Sequence, residues 1–393
     1  LPTSDAGTVD CTSSGFGTPK GALIFGGYGA ANGTAVDHAG LWIGGYDGTR
    51  QRSVAVASED GQDDSDTGGA SDANSALITL LNTSQAQDGD CTASFIADGI
   101  RLTCADAPPV AYRVNVLLIG GSGVSNVYVG SATGHASTGG TTAVSDPGFT
   151  PHVVFSWFNT TDSLLRNGIG IATNEAGPTI VQRVMGHNDT NASASMSIIS
   201  RLLTNRFVAS GLNVAALELT SFDANGFTVT TRDSTTSVPT FGYMAIRLNG
   251  LSAKLMTSPA PAGTGSQAVT GVGFRPQVGV MFHGEWAAVD TAYSTNDGEV
   301  FGLSAFTTAG SGSSSIFTDD GVSISNTESV TANTVCRTRK NAADYATCSL
   351  TSLDADGATF NYTVNNGGAV QRAILFIQAS ATSRRRATPM VLE

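Results

Sequence analysis

Ser94-Phe95-Ile96-Ala97-Asp98-Gly99 is written three times along the chain. It returns as Ser221-Phe222-Asp223-Ala224-Asn225-Gly226 and as Ser352-Leu353-Asp354-Ala355-Asp356-Gly357. Each copy ends in Asp-Gly or Asn-Gly, the pairs that best tolerate positive φ, so each predicts a tight type I′ hairpin turn centred on that pair. Strand-like residues flank the turns, as in Phe227-Thr228-Val229-Thr230. One hairpin repeated at nearly equal intervals predicts a tandem array of a single β-unit.

Other landmarks keep step with the turn. Each copy enters through Gly, Phe and Pro: Gly15-Phe16-Gly17-Thr18-Pro19, Gly148-Phe149-Thr150-Pro151 and Gly273-Phe274-Arg275-Pro276. A short apolar run follows each entrance, and each copy closes on another, Val114 to Ile119, Tyr243 to Leu248 and Arg372 to Ile377. Entrance Phe to turn Gly is 83, 77 and 83 residues (Phe16 to Gly99, Phe149 to Gly226, Phe274 to Gly357). Short β-rich runs between Gly-rich turns predict an all-β protein of three tandem β-sandwich, jelly-roll-like domains. The boundaries fall at 8–121, 132–250 and 262–379, with a loose N-terminal arm at 1–7 and a basic C-terminal tail at 380–393. The linkers at 122–131 and 251–261 are short enough to hold the sandwiches close, and Val127-Tyr128-Val129 is a candidate strand within one of them. Ser71 to Leu81 and Ala194 to Leu203 fit either a helical or a strand period, and both are read as strands.

Composition narrows the function classes. The chain has 393 residues, 47 of them Gly, and only 13% are charged, which suits short strands and tight turns rather than disorder or coiled coil. A net charge of −12 disfavours nucleic acid and anionic lipid as partners. No apolar run approaches the length of a membrane helix, so no membrane insertion is expected. The sequence opens Leu-Pro-Thr, which fits either a removed leader or a late start. Cys91 and Cys104 straddle the Asp98-Gly99 turn, and Cys336 and Cys348 straddle a turn near Asn341-Ala342. Cross-hairpin disulfides and buried thiols are both open, although a turn centred on Asp98-Gly99 sets Cys104 opposite Ala93 rather than Cys91. Cys11 is left over.

Chemistry is sparse. Glu59-Asp60-Gly61-Gln62-Asp63-Asp64-Ser65-Asp66 clusters hard oxygen ligands, with Asp60, Asp63, Asp64 and Asp66 as candidate calcium ligands. It lacks the spacing of a calcium loop and has no counterpart in the other copies, so a solvated surface loop is favoured and no metal or cofactor is expected. The five histidines form no ligand pair, and no Gly-x-Ser-x-Gly elbow is present, so no catalytic residues are assigned. Trp286 follows His283-Gly284-Glu285 in what reads as a strand-end loop, where an aromatic could stack on a sugar ring. Trp42 and Trp157 lie inside apolar strands and read as core. Arg384-Arg385-Arg386 is a basic cluster on an acidic chain, suited to contact a partner's acidic face, with a solvated tail as the alternative.

The run Gly265-Ser266-Gln267-Ala268-Val269-Thr270-Gly271-Val272-Gly273-Phe274-Arg275-Pro276, with the strand behind it, resembles the "vtGvGFqP" β-sandwich repeats of tailed-bacteriophage virion proteins, including tail-fibre types. The other two copies keep mainly Gly-Phe and Pro, and the first inserts a residue before Pro19. The resemblance implies a non-enzymatic structural or attachment role in a virion, on the tail or decorating the head. It implies oligomeric contacts with copies of itself and with other virion proteins, and it carries over no catalytic residue. The alternative is a secreted glycan-binding adhesin that would meet a host-surface glycan through Trp286.

Overall fold

The computed structural model describes residues 1–62, 66–81, 84, 86–159, 165–175, 179–190, 193–207, 213–233, 240–291, 298–319 and 324–378. Its first ten strands are β1 (Gly7–Thr12), β2 (Gly21–Gly26), β3 (Ala35–Asp37), β4 (Ala39–Tyr46), β5 (Gln51–Ser58), β6 (Thr67–Asp72), β7 (Leu77–Leu80), β8 (Gln87–Ile96), β9 (Gly99–Asp106) and β10 (Val114–Ile119). Next come β11 (Val124–Thr133), β12 (Thr141–Val144), β13 (Val153–Asn159), β14 (Leu165–Asn174), β15 (Ile180–Thr190), β16 (Ser193–Ser200), β17 (Thr204–Phe207), β18 (Asn213–Asp223), β19 (Gly226–Asp233) and β20 (Thr240–Leu248). The last ten are β21 (Ala253–Pro259), β22 (Gly265–Val269), β23 (Pro276–Gly284), β24 (Glu299–Thr307), β25 (Gly310–Asp319), β26 (Asn326–Ala332), β27 (Cys336–Lys340), β28 (Ala343–Asp354), β29 (Gly357–Asn365) and β30 (Gln371–Gln378). Among the described residues there is no helix, and both stretches of ambiguous period are strands, as β6, β7 and β16.

These strands form six sheets. Three have four strands, in the orders β1-β9-β8-β7, β12-β19-β18-β17 and β22-β29-β28-β27. Three are larger: β10-β2-β4-β5-β6, β11-β20-β13-β14-β15-β16 and β21-β30-β23-β24-β25-β26-β3. Successive strands stay on one sheet as meanders, and a late strand (β10, β20 or β30) returns beside the first, the spatial order of a Greek key. A jelly roll instead deals successive strands across two sheets, so the wrapped form expected from the sequence is not the one built.

Side-chain pattern decides which sheet lies inside. In β1 the residues alternate between half-buried and exposed, the mark of a sheet with one wet face. In β2 and β4 every residue is buried, so both faces are covered. Along β2, Ala22 and Ile24 join Leu77, Ile100 and Leu102 of the four-stranded sheet, whereas Leu23 and Phe25 point into a different core. The same split recurs in β13, where Val154 and Phe158 face Leu219 and Phe227 while Val153, Phe155 and Trp157 face away. It recurs again in β30, with Ile374 and Phe376 on one side and Ala373 and Leu375 on the other. Each large sheet therefore packs sandwich-like on a four-stranded sheet. Its other face meets the other two large sheets in one common core that holds Phe25, Phe155, Trp157, Phe282 and Leu303. Large sheets touch pairwise all round, through β5 and β13, β16 and β24, and β4 and β25, so the molecule is a three-sided block.

Several local expectations need correction. The arm at 1–7 is docked: the Leu1 amino group donates to the Tyr112 carbonyl at 2.6 Å, and Asp5 Oδ1 accepts the Ala107 N–H at 3.1 Å. Both linkers contain strands, β11 and β21, and each lies on the outer edge of a large sheet against β20 or β30. The repeated turn is centred one residue earlier than its Asp-Gly pair suggests. Ile96 pairs with Gly99, Asp223 with Gly226 and Asp354 with Gly357, so Ala-Asp or Ala-Asn forms the loop and Gly opens the next strand. Gly is required there by close approach. A Cβ on Gly99, Gly226 or Gly357 would lie 2.1, 1.8 or 1.9 Å from the carbonyl oxygen of Cys11, Val144 or Val269 on the neighbouring strand. That one-residue displacement sets Cys91 opposite Cys104, and the two form a disulfide. Cys336 and Cys348 also face each other, across the hairpin that turns at Asn341-Ala342, and remain thiols.

Entrance and turn, read separately in the sequence, touch in the structure. Gly15, Gly17, Gly271 and Gly273 take φ of 80°, 83°, 85° and 86°, which aims successive N–H groups inward. Asp98 Oδ1 accepts the Gly17 N–H at 2.7 Å, and Asp356 accepts those of Gly271 and Gly273. These bonds hold both carboxyls below the usual carboxylate range. Around Gly148 the carbonyl of Asn225 accepts instead, at 2.9 Å.

Candidate functional site

Trp286 is fully buried in the common core. Its Nε1–H donates to Ser197 Oγ of β16 at 3.0 Å, and Ser197 Oγ donates to Glu299 Oε2 of β24 at 2.6 Å. The expected glycan contact is therefore corrected: the ring ties the second large sheet to the third and offers no face to a sugar. Trp42 and Trp157 are also buried. Asp60 accepts the Thr327 N–H at 2.7 Å, and its own N–H donates to His38 Nδ1 at 3.0 Å, so this acid clasps a neighbouring sheet. Asp66 is exposed, and its carbonyl accepts the Glu59 N–H at 2.8 Å. Asp63, Asp64, Arg384, Arg385 and Arg386 lie outside the described residues. Among the described residues no three His, Cys, Asp or Glu side chains converge as metal ligands.

The seams between large sheets hold the polar contacts that the sequence did not advertise. An edge strand leaves backbone N–H groups without ladder partners, and a carboxylate can cap one with a charge-assisted bond. Asp47, in the β4–β5 turn, accepts the Val129 N–H of β11 at 2.8 Å, while the Arg50 guanidinium lies 3.8 Å above the Tyr128 ring. Glu175, in the β14–β15 connection, accepts the Leu255 N–H of β21 at 3.0 Å, while Arg183 Nε donates to Thr257 Oγ1 at 2.8 Å. The first and second seams thus use one device. Each sends a carboxylate and an arginine from a hairpin onto the outer strand of the next sheet.

At the third seam the β24–β25 turn, Thr307 to Gly310, carries neither group. Among the described residues β10 pairs only with β2, and no strand stands beside it as β11 and β21 stand beside β20 and β30. Asn115 of β10 instead donates straight to the Ser313 carbonyl at 3.2 Å and to Ser314 Oγ at 3.1 Å. The closure is made by β3, which pairs with β26 through Asp37–Glu328, Val36–Ser329 and Ala35–Val330. Ser325 and Thr327 add bonds to the Glu59 and Ser58 carbonyls.

Two histidines are buried without charge. Burial pushes His187 down to about 3, and its Nε2 lies 2.9 Å from Thr318 Oγ1 across the second seam. Burial, with a smaller push from the Arg372 cation, also brings His283 to about 3. His283 stands directly opposite Arg372 on paired strands. Arg372 is 1% exposed and donates to the Pro259 carbonyl, Gln267 Oε1 and Tyr362 Oη. Beside this group Glu285, held up by burial, is bonded to Lys340 Nζ at 3.2 Å. An arginine opening an otherwise apolar closing strand, Arg372-Ala373-Ile374-Leu375-Phe376, was the sequence signal for it.

With this geometry in hand, comparison with protein-family models, with curated proteins and with solved structures finds no match.

Proposed function

We propose that the chain is a non-enzymatic structural or attachment protein of a bacteriophage virion, a tail component or a head decoration. On this proposal it consists of three tandem copies of one sandwich module, closed on themselves into a three-sided block. One observation carries the proposal: a four-stranded sheet of one strand order, packed on a larger sheet in which a late strand returns beside an early one, recurs at each third of the chain around a shared core, and the second and third thirds also share local bonds. Asp223 accepts from Ser221 and Thr228, both at 2.7 Å, and Asp354 accepts from Ser352 and Thr359 at 2.6 and 2.7 Å. A module copied in this way offers similar surfaces in three directions, which suits packing against the repeated neighbours of a symmetric particle. The strands of the four-stranded sheets carry many Ser and Thr hydroxyls toward solvent, with ion pairs such as Arg101–Asp10 and Arg232–Glu218 among them, so the outer faces offer mixed polar surfaces for contact with other β-proteins. The Arg384-Arg385-Arg386 cluster is assigned to an acidic partner surface within the same assembly. The adhesin alternative loses its one named residue, because Trp286 is buried.

Particles purified from an infected culture test this directly. The protein is expected in the particle by mass spectrometry and as added density in images of it. A protein absent from washed particles, and monomeric alone at high concentration, sinks the proposal. Removing 380–393 is expected to weaken incorporation without unfolding the block.

A further inference from the structure

Arg372 raises a problem of charge balance. Its guanidinium is buried in the third pair of sheets, and no carboxylate forms an ion pair with it among the described residues. An unbalanced charge away from water is strongly disfavoured unless a counter-ion or polar contacts hold it. Its neighbour His283 is 4% exposed, and neither ring nitrogen has a hydrogen-bond partner. A neutral imidazole always carries one N–H, so a buried donor is left without an acceptor. Both side chains line a single cleft, together with Tyr345, Tyr362, Asn365 and Cys336.

We propose that this cleft is a binding site for one small monovalent anion of halide size, held between Arg372 and His283. Such an ion accepts the imidazole N–H and the uncommitted N–H on Arg372 Nη1, and it balances the buried charge. The donor geometry selects against carboxylates. Nη2 is committed to the Pro259 carbonyl and Gln267 Oε1, and Nε leans toward the Ser258 carbonyl at 3.4 Å, so the two-pronged face that grips a carboxylate is not presented. The space is also tight. A Cβ on Gly302 would come within 2.4 Å of His283 Cε1, so the ring lies packed against that glycine on one side. Glu285, two residues beyond His283, is held by Lys340 and does not serve as the counter-charge. The site is independent of any role in a virion.

Thermal melts of the full chain in sodium chloride or bromide, set against sodium gluconate at equal ionic strength, test it. The wild type is expected to melt higher in halide, with saturation, because a ligand bound only by the folded state stabilises it. His283→Phe keeps the ring but removes the donor, and is expected to lose the halide increment while following the general salt effect. Independently of any variant, a wild-type crystal grown in bromide is expected to show one anomalous peak between the His283 ring and the Arg372 guanidinium. Equal melting in all three salts, a halide increment that survives in His283→Phe, or a bromide-grown crystal with only water between the two side chains would overturn the proposal.

Discussion

Two of the three seams are alike and the third is not. At the first and second, a hairpin carboxylate, Asp47 or Glu175, caps the outer strand of the next large sheet, β11 or β21. At the third no such strand intervenes among the described residues, and closure passes to β3, Asp60 and a set of Ser and Thr hydroxyls. Like contacts between sheets repeat only while each sheet has a neighbour on the same side. Closing the row into a block forces one pair of surfaces to meet in a new way, and new side chains take up the contact. The common core, by contrast, treats all three sheets equally.

The largest test removes that equality. Phe155→Ala empties a fully buried site in the common core and is expected to cost about 3–5 kcal/mol. Because three sheets share the core, denaturation should remain one transition by fluorescence and by calorimetry. Separate unfolding of the thirds would show that the seams, and not the core, set cooperativity.

Acid distinguishes the second seam from the first. His187 titrates near 6.5 when unfolded and at about 3 when folded, as does His283, so the unfolded chain binds the protons first. Stability is therefore expected to fall as pH drops from about 6.5 toward 3, by up to about 1.4 kcal/mol per pH unit for each histidine. Urea midpoints across that range check the slope, and His187→Gln should remove its share. An unchanged slope in that variant would mean that His187 is already charged in the fold.

Seam contacts come next. Asp60→Ala strands the Thr327 N–H at the third seam, and Asp47→Ala strands the Val129 N–H at the first. Each is expected to cost about 1–3 kcal/mol in denaturant titrations. The double variant should show near-additive losses, since the two seams share no partner. A coupling well above additivity would make closure of the block a single event. A smaller effect is expected at Ala342, which holds φ of 61° beside Asn341 at 51° and whose N–H donates to the Glu328 carboxylate of β26. Ala342→Gly should stabilise by about 0.5–1 kcal/mol by relieving a conformation that a Cβ resists.

Much of the fold was legible in the sequence because it is local. Ala22-Leu23-Ile24-Phe25 and Val153-Val154-Phe155 read as strands without knowledge of their neighbours, and the recurring turn pointed to three related stretches. The contrast between the unbroken burial of β2 and the alternation in β1, which separates inner from outer sheets, emerged only with the structure. What covers the inner sheets could not be read, since the cover comes from far along the chain. Trp286 looked like a loop-tip aromatic because its partner, Ser197, lies 89 positions away. The turn misled for the same reason: Asp-Gly suggests positive φ at its centre, whereas Gly99 answers to the Cys11 carbonyl on another strand. Arg372 was passed over as the start of an apolar closing strand, because the site around it is a sum of distant residues.

The pairing of Ala35–Asp37 with Glu328–Val330 has a consequence for how the protein is made. A ribosome delivers β3 long before β26, so the partner of the third seam emerges last. Until then the inner face of the nascent first sheet can meet only the second sheet, and the part that β25 and β26 cover stays open to solvent or to chaperones. Synthesis, rather than the finished block, is where this chain is most exposed to aggregation.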